Sequence, residues 1–385
     1  NVTDISGLEY CVNLKHLTIS KNNKVESLDT STFALLESLD ISGSAIKSID
    51  LSRNPLLKSF NCSSSKVSAL DLSANNKLET INCSSLGSLT NNTLILEDHR
   101  SLVSLNCSAS KLTMLNISGC PELYELNCSL NSITELDITK SPKLEILTMN
   151  NNAIYELDLS KSVELRKFNC SYNQLRELDV QACMKLHEYN FSYNPLQVLH
   201  LGSVPRLNSV AVTTNHRVHF DFTISGLEIE SFELNNYDGQ YTSQPWTKNV
   251  IFDTPNIKSV IIRCYSGTDF DFSTIPSVES IELTAKNIYN IDITKNPNLK
   301  SFKYHGDYGK NIKEIDFSQN SELTSVVIST CGITGLDLSN NLKVTNVEIV
   351  DSEECRFLNL GYNPVLKELN PLGGRGAGYN DHGDY

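Results

Sequence analysis

Cysteine is the residue type in this sequence whose number first suggests chemistry. The 385 residues include 11 cysteines, enough for a disulfide framework or a zinc site if they converge. No Cys-x-x-Cys pair occurs, so the usual cysteine spacing of a structural zinc site is absent from the sequence. Five of the cysteines recur at one position of a sequence repeat: Cys62, Cys83, Cys107, Cys128 and Cys170. Other repeats carry Ile, Met, Phe, Val or Leu there. A position that accepts these residues is a core position, so we predict reduced, buried thiols.

Aspartate recurs at a second position of the repeat, where it could hold a cation. The residues are Asp29, Asp50, Asp71, Asp137, Asp158, Asp179, Asp221, Asp271, Asp292, Asp316 and Asp337. In stacked coils they would lie about 4.8 Å apart and repel each other unless solvated or hydrogen-bonded. The spacing allows two interpretations, a stripe that binds cations and a column of side chains that cap turns. We favour a column that is solvated or that caps turns through hydrogen bonds to nearby backbone and Ser/Thr groups.

Catalytic arrangements do not stand out from the sequence. There is no Gly-x-Ser-x-Gly, no phosphate-binding glycine loop and no His-Glu-x-x-His. The many carboxylates are spread by the repeat and form no evident acid–base pair. The sequence therefore predicts a protein that is not an enzyme and that uses no cofactor and no metal.

The elements that position these residues are coils of about 21 residues. One coil, residues 123–143, reads LYELNCSLNSITELDITKSPK, with apolar residues at positions 1, 4, 6, 11, 14 and 16. Alternating apolar residues are typical of extended chain, and a repeat this short buries its apolar face only by stacking on its copies. We predict about 16 coils with a parallel β-sheet along one face.

The pattern L-x-x-L-x-[LC]-x-x-N resembles the leucine-rich-repeat signature. The variant LxxLxCxxNxLxxLDLSxN is similar to a nested, 21-residue class of bacterial surface and secreted proteins. The opening VTDISGLEYCVNLKHLTISKN resembles the repeats of internalin-type adhesins. The resemblance implies an α/β-type leucine-rich-repeat solenoid, mostly β and extended coils with few helices, and a parallel sheet on the concave face. It also implies a scaffold that binds macromolecules.

Composition and charge limit the partners and the location. The net charge is −13, which argues against nucleic acid and anionic membranes. The longest apolar runs are too short to insert into a membrane. The sequence lacks an initiating Met and begins in the middle of a repeat, so we expect a chain truncated at its N-terminus. Residues 1–370 are predicted to form one solenoid domain and residues 371–385 a Gly-rich tail. The expected location is extracellular or at the cell surface, with the signal or anchor segment absent from this chain.

Three insertions fall just after the first strand of a coil, near residues 84–92, 235–248 and 304–311. The second and third contain aromatic residues and a histidine, which make an edge suited to partner binding: Tyr237, Tyr241, Trp246, Tyr304, His305 and Tyr308. Surface loops folded back on the solenoid are the alternative.

A column of asparagines precedes the cysteine position in the first half of the chain: Asn61, Asn82, Asn106, Asn127, Asn169 and Asn190. Serine follows two residues after each of them. An amide ladder that stabilises the sheet is one interpretation, and a polar groove for a glycan or an extended peptide is the other.

These observations favour a non-catalytic binding module of a bacterial secreted or cell-surface protein. Its expected partner is a protein, including one of host origin, and adhesion is the expected role. Glycan binding on the Asn/Ser face and a structural spacer that carries another domain are the alternatives.

Overall fold

The computed structural model describes residues 2–373, apart from residues 88, 208, 215–219, 227–228, 237–246, 265–268, 286–287 and 307–311. The chain divides into two compact units. The first contains Asn1–Asn194 and Val204–Arg206, and the second contains Pro195–Ser203 and Leu207–Tyr385. The one helical element among the described residues is a 3₁₀ turn, Leu8–Tyr10.

Twelve three-residue strands lie in the first unit. They are β1 His16–Thr18, β2 Ser38–Asp40, β3 Ser59–Asn61, β4 Thr80–Asn82, β5 Thr93–Ile95, β6 Ser104–Asn106, β7 Met114–Asn116, β8 Glu125–Asn127, β9 Ile146–Thr148, β10 Lys167–Asn169, β11 Glu177–Asp179 and β12 Glu188–Asn190. One parallel sheet has the order β1-β2-β3-β4-β6-β8-β9-β10-β12, and β5 pairs with β7 in parallel. Consecutive coils therefore stack side by side.

Strand β8 shows why these residues form the sheet. Leu126 at its centre is fully buried, whereas Glu125 is exposed and Asn127 half-buried. Leu126 lies opposite Leu105 on one side and Leu147 on the other, so apolar side chains form a continuous column through the coils. Burying such side chains contributes about 1.5–3 kcal/mol each, which no coil could obtain alone.

Stacking of the coils buries backbone N–H and C=O groups, which need hydrogen-bond partners. The asparagine at position 9 of the coil, the last residue of the pattern L-x-x-L-x-[LC]-x-x-N, provides them. The buried Asn173 donates from Nδ2 to the carbonyls of Met149 and Cys170, both at 3.0 Å, and accepts from the Ile154 N–H at 3.1 Å. Asn194 repeats this arrangement one coil later. One amide thus hydrogen-bonds buried backbone groups of two coils. Leaving these groups without a partner would cost folding free energy.

Among its described residues, the second unit contains fifteen strands. They are β13 Val198–Gly202, β14 Ser209–Thr214, β15 Phe220–Gly226, β16 Ser231–Asn236, β17 Thr247–Asp253, β18 Ser259–Cys264, β19 Asp269–Asp271, β20 Ser280–Ala285, β21 Asn290–Asp292, β22 Ser301–His305, β23 Ser325–Ser329, β24 Gly335–Asp337, β25 Asn346–Val350, β26 Phe357–Asn359 and β27 Glu368–Gly373. Eight of them form a parallel sheet of order β14-β16-β18-β20-β22-β23-β25-β27. Parallel pairs also join β13 to β15, β15 to β17, β19 to β21 and β24 to β26.

The strands of this eight-stranded sheet have five or six residues, against three in the first unit. Their sequences, such as SVIIRC and SVVIS, are rich in β-branched residues, which favour strands. In the first unit an Asn or Asp commonly ends the strand by accepting a hydrogen bond from the N–H two residues later. Strand β9 also has three residues, although it ends in Thr148 rather than in Asn or Asp.

The predicted parallel β-solenoid is confirmed. The last strand, β27, runs to Gly373, three residues beyond the predicted end of the solenoid at residue 370. It does so because Gly373 still pairs with Val350 of β25. The remainder of the predicted tail, residues 374–385, lies outside the described residues. Within the described part, no helix is both long and apolar enough to cross a membrane.

Candidate binding surfaces

The structure places only part of the predicted aromatic edge. Tyr237, Tyr241, Trp246 and Tyr308 lie outside the described residues. His305 is exposed, with its Nδ1 2.7 Å from the Ser329 hydroxyl.

The prediction that Tyr304 belongs to a partner-binding aromatic edge is wrong. Its side chain is only 3% exposed, and its hydroxyl donates to the Ala285 carbonyl at 3.4 Å. Tyr304 occupies position 6 of its coil, the position of the cysteine column, and lies opposite the buried Leu283. It is a core residue, so its ring is not available to a partner.

The asparagine column lies on the face of the nine-stranded sheet and is half-buried or exposed. Each amide is held within its own coil. Asn127 Oδ1 accepts from the Ser129 N–H at 3.1 Å and from the Ser129 hydroxyl at 2.7 Å. Asn61, Asn82, Asn106 and Asn169 make the same pair of bonds, and Asn190 makes the backbone bond.

These bonds decide what the column can offer. Asn82 lies directly between Asn61 and Asn106 on neighbouring strands, yet their oxygens bind serine rather than the next amide. The expected ladder from Asn to Asn is therefore replaced by a series of caps. No hydrogen bond of the described residues uses the Nδ2 group of these three asparagines. The face thus presents fixed amide N–H groups and serine oxygens, with no charge on them.

The aspartate column caps turns, as predicted. Asp137 Oδ1 accepts from the Thr139 N–H at 2.8 Å and from its hydroxyl at 2.6 Å, and these bonds lower the pKa of Asp137. The same backbone bond is made by Asp29, Asp50, Asp71, Asp158, Asp179, Asp271, Asp292, Asp316 and Asp337. Among the described residues, no group of three or more His, Cys, Asp or Glu is placed to hold a metal ion.

The cysteine column is buried and unpaired by disulfides, which confirms the predicted reduced thiols. All 11 cysteines are free, and the five of the column are 0% exposed. Burial raises the pKa of Cys83 and Cys128 to about 12, so their thiols stay protonated and unreactive near neutral pH. The column is part of the core.

The face of the eight-stranded sheet has a different chemistry. Arg263 lies on β18, the third of its eight strands, and is 32% exposed. It forms ion pairs with Glu233 on one side and with Glu282, at 3.0 Å, on the other, and it donates to Asn235 Oδ1 at 3.3 Å. Lys303 extends this network with an ion pair to Glu282 at 3.6 Å.

Apolar side chains share this face with the charges. Ile261 lies in register between Glu233 and Glu282, and Val327 lies between Lys303 and Glu348. Both side chains are half-buried. Arginine is enriched in protein interfaces, and here it is fixed beside half-buried aliphatic side chains.

A pair of stacked tyrosines is a surface feature that the sequence analysis missed. Tyr172 and Tyr193 follow the serine in adjacent coils, with ring centroids 4.2 Å apart and planes 10° from parallel. They are 49% and 36% exposed. The signal was present in the repeated SYN of SYNQL and SYNPL, but the apolar pattern does not tell that this position faces solvent.

Comparison with known proteins supports the fold. No protein-family model matches the chain, and no curated protein matches it. The functional domain of InlJ from Listeria monocytogenes, described as including a cysteine ladder, is 23% identical, with a TM-score of 0.51. The match covers 91% of this chain and 66% of that one.

Two further solved structures match with lower TM-scores. A leucine-rich-repeat protein of Leptospira interrogans is 14% identical with a TM-score of 0.43, covering 92% of this chain and 98% of that one. An internalin, InlF, from Listeria monocytogenes is 13% identical with a TM-score of 0.37, covering 96% and 89%. The likeness to InlJ and the stacked repeats show that the chain has an internalin-like leucine-rich-repeat fold.

Proposed function

We propose that this chain is a non-catalytic module of a bacterial secreted or cell-surface protein, and that it binds a protein partner through the eight-stranded sheet. The observation that carries the proposal is Arg263, held by Glu233 and Glu282 beside Ile261. The partner class includes host proteins, and adhesion is the role that we assign to the contact.

The arrangement around Arg263 is suited to a protein rather than to a small solute. An arginine whose rotamer is already fixed loses little conformational entropy when a partner covers it. Its ion pairs would strengthen as the partner excludes water, and Ile261 and Val327 would add apolar contact. The face is open and has charges of both signs, so it would select a partner by complementary charge.

The buried cysteine column is compatible with an extracellular location. Unpaired cysteines usually indicate a reducing compartment, because exposed thiols oxidise outside the cell. Here the column thiols are buried, and their raised pKa keeps them from reacting.

We extend the proposed surface to the aromatic edge that the sequence predicts. His305, at the end of β22, is exposed next to the network residue Lys303 on the same strand. Tyr237, Tyr241, Trp246 and Tyr308 follow β16 and β22 directly in the sequence. They would enlarge the contact at one end of these strands.

The test is affinity capture from cell-surface and mucus extracts with the full chain and an Arg263→Ala variant. We expect the captured protein to fall at least about tenfold in the variant, because the two glutamates lose their shared partner. Arg166→Ala, which removes a similar ion pair with Glu145 in the first unit, is the matched control and should capture normally. A second variant, Trp246→Ala/Tyr308→Ala, reports on the edge.

Two results would count against the proposal. Equal capture by the wild type and the Arg263→Ala variant would place protein binding elsewhere. Failure of the wild type to capture any protein would favour a structural spacer.

A further inference from the structure

The turn after each strand of the nine-stranded sheet contains a residue in the left-handed region. Its φ is +62° in Gly43, +57° in Asn151, +56° in Tyr172 and +58° in Tyr193. Glycine and asparagine adopt this conformation at least cost, whereas a bulky side chain is strained in it. The equivalent turns of the other coils contain Lys21, Ser64, Ser85, Ala109 and Leu130 in the same conformation, so the fold does not require tyrosine at this position.

The tyrosine pair also gains little from the fold itself. The stacked rings are 49% and 36% exposed, and the core at this level is already filled by Phe168 at the centre of strand β10, which is 2% exposed. Two solvent-exposed aromatic rings stacked at a turn position that other coils fill with small, polar or aliphatic residues indicate a role at the surface rather than in folding.

The groups around the pair are neutral and polar. Ser171, which precedes Tyr172, has its hydroxyl fixed on Asn169 at 2.8 Å, and Asn169 Nδ2 lies 3.5 Å from Asn150 Oδ1. Asn151 occupies the equivalent turn of the preceding coil.

Charge is balanced on these strands. The charged side chains on β10 and β12, Lys167 and Glu188, form an ion pair with each other at 2.8 Å. A ligand would therefore meet an aromatic platform, amides and hydroxyls, but no unbalanced charge on this face of the two strands.

We propose that Tyr172 and Tyr193, with Asn150, Asn151 and Asn169, form a binding site for a neutral oligosaccharide. The C–H face of a sugar ring packs on an aromatic ring, while its hydroxyl groups both donate and accept hydrogen bonds. Amide side chains supply both partners, and amides fixed by existing bonds lose little entropy on binding. This site lies wholly in the first unit and does not depend on the proposed protein-binding surface.

A protein interface centred on this pair fits the observations less well. Binding hot spots lie within a ring of contacts that excludes water, usually with apolar neighbours. Here the flanking side chains are amides and hydroxyls, and the strand centres Leu147 and Phe168 are at most 2% exposed.

The test is a glycan array containing neutral and anionic oligosaccharides, probed with the full chain. We compare the wild type with Tyr172→Asn/Tyr193→Asn, which keeps a residue suited to the left-handed turn and should fold. Tyr155→Asn, an exposed tyrosine elsewhere in the same unit, is the matched control. A Tyr172→Phe/Tyr193→Phe variant keeps the rings if the first variant does not fold.

We expect neutral oligosaccharides to bind the wild type and the Tyr155 variant, and to bind the double Asn variant at least about tenfold more weakly. Binding should change little with salt, because the ligand carries no charge. The proposal is overturned if no neutral oligosaccharide binds, if the double Asn variant binds equally well, or if only anionic glycans bind. Loss of a captured protein, rather than of a glycan, in the double Asn variant would also overturn it.

Discussion

At the residue scale, the repeat uses most of its polar side chains to satisfy its own backbone. A second series of buried asparagines shows this in the turns before several of the coils. Asn75 donates from Nδ2 to the carbonyls of Leu51 and Asn54, and Asn296, Asn320 and Asn341 do the same in later coils. Such residues give little indication of function because the fold requires them.

His99 takes the place of asparagine in that series. Its side chain is only 2% exposed, and neither ring nitrogen meets a partner at good hydrogen-bonding geometry among the described residues. Burial lowers the pKa of His99, and the nearby Leu72 carbonyl only partly offsets this. The ring is therefore buried in its neutral form.

We predict that His99 makes the protein less stable in mild acid. As the pH falls below about 6.5, the unfolded chain binds a proton that folded His99 resists, so the free energy of unfolding falls. A His99→Asn variant should lose this pH dependence, because asparagine does not titrate and occupies the equivalent position of the preceding coil as Asn75. Urea unfolding at several pH values between about 5 and 8 measures it.

The control for this experiment is His16→Asn, which changes an exposed histidine. It should leave the pH dependence as in the wild type. A His99→Asn variant that loses stability in acid as steeply as the wild type would show that another group is responsible.

At the element scale, neighbouring coils are joined by inward-facing amides as well as by the apolar core. We predict that Asn173→Ala costs about 2–4 kcal/mol, because two buried carbonyls and one N–H lose their partner. The half-buried Asn169 is the matched control, and Asn169→Ala should cost about 1 kcal/mol or less, since water replaces the lost cap. Denaturant unfolding gives both values. Equal costs would mean that the buried amide has no special role in joining coils.

The elements were predictable where every residue at one position of the repeat meets the same physical requirement, such as burial. The cysteine column could be identified from sequence because Ile, Met and Phe replace cysteine there, and only burial accepts all of them. Tyr304 was misread because it was considered within its loop, whereas its position in the coil is that of Cys128. Tyr172 and Tyr193 were missed because the pattern of apolar residues indicates neither the solvent exposure nor the positive φ of their position.

At the scale of the whole molecule, one repeat produces two sheets with different surfaces. The nine-stranded sheet presents amides and hydroxyls over much of its face, while the eight-stranded sheet presents Arg263, its glutamates and aliphatic side chains. The change is visible in the sequence, where the position of the Asn column is occupied by Glu233, Ile261 and Glu282 in the second unit. The sequence could not indicate that Arg263 joins the two glutamates, because their pairing depends on side-chain conformations across three strands.

The central claim is that the face of the eight-stranded sheet contacts a protein partner, and site-specific photo-crosslinking tests it most directly. A photoreactive amino acid replaces Val327 on that face, or Gln319 in an exposed turn of the same unit as the control. After irradiation with surface extracts, we predict a covalent protein adduct at position 327, absent at position 319 and reduced when Arg263→Ala is added. Adducts formed equally at both positions, or only at position 319, would contradict the claim.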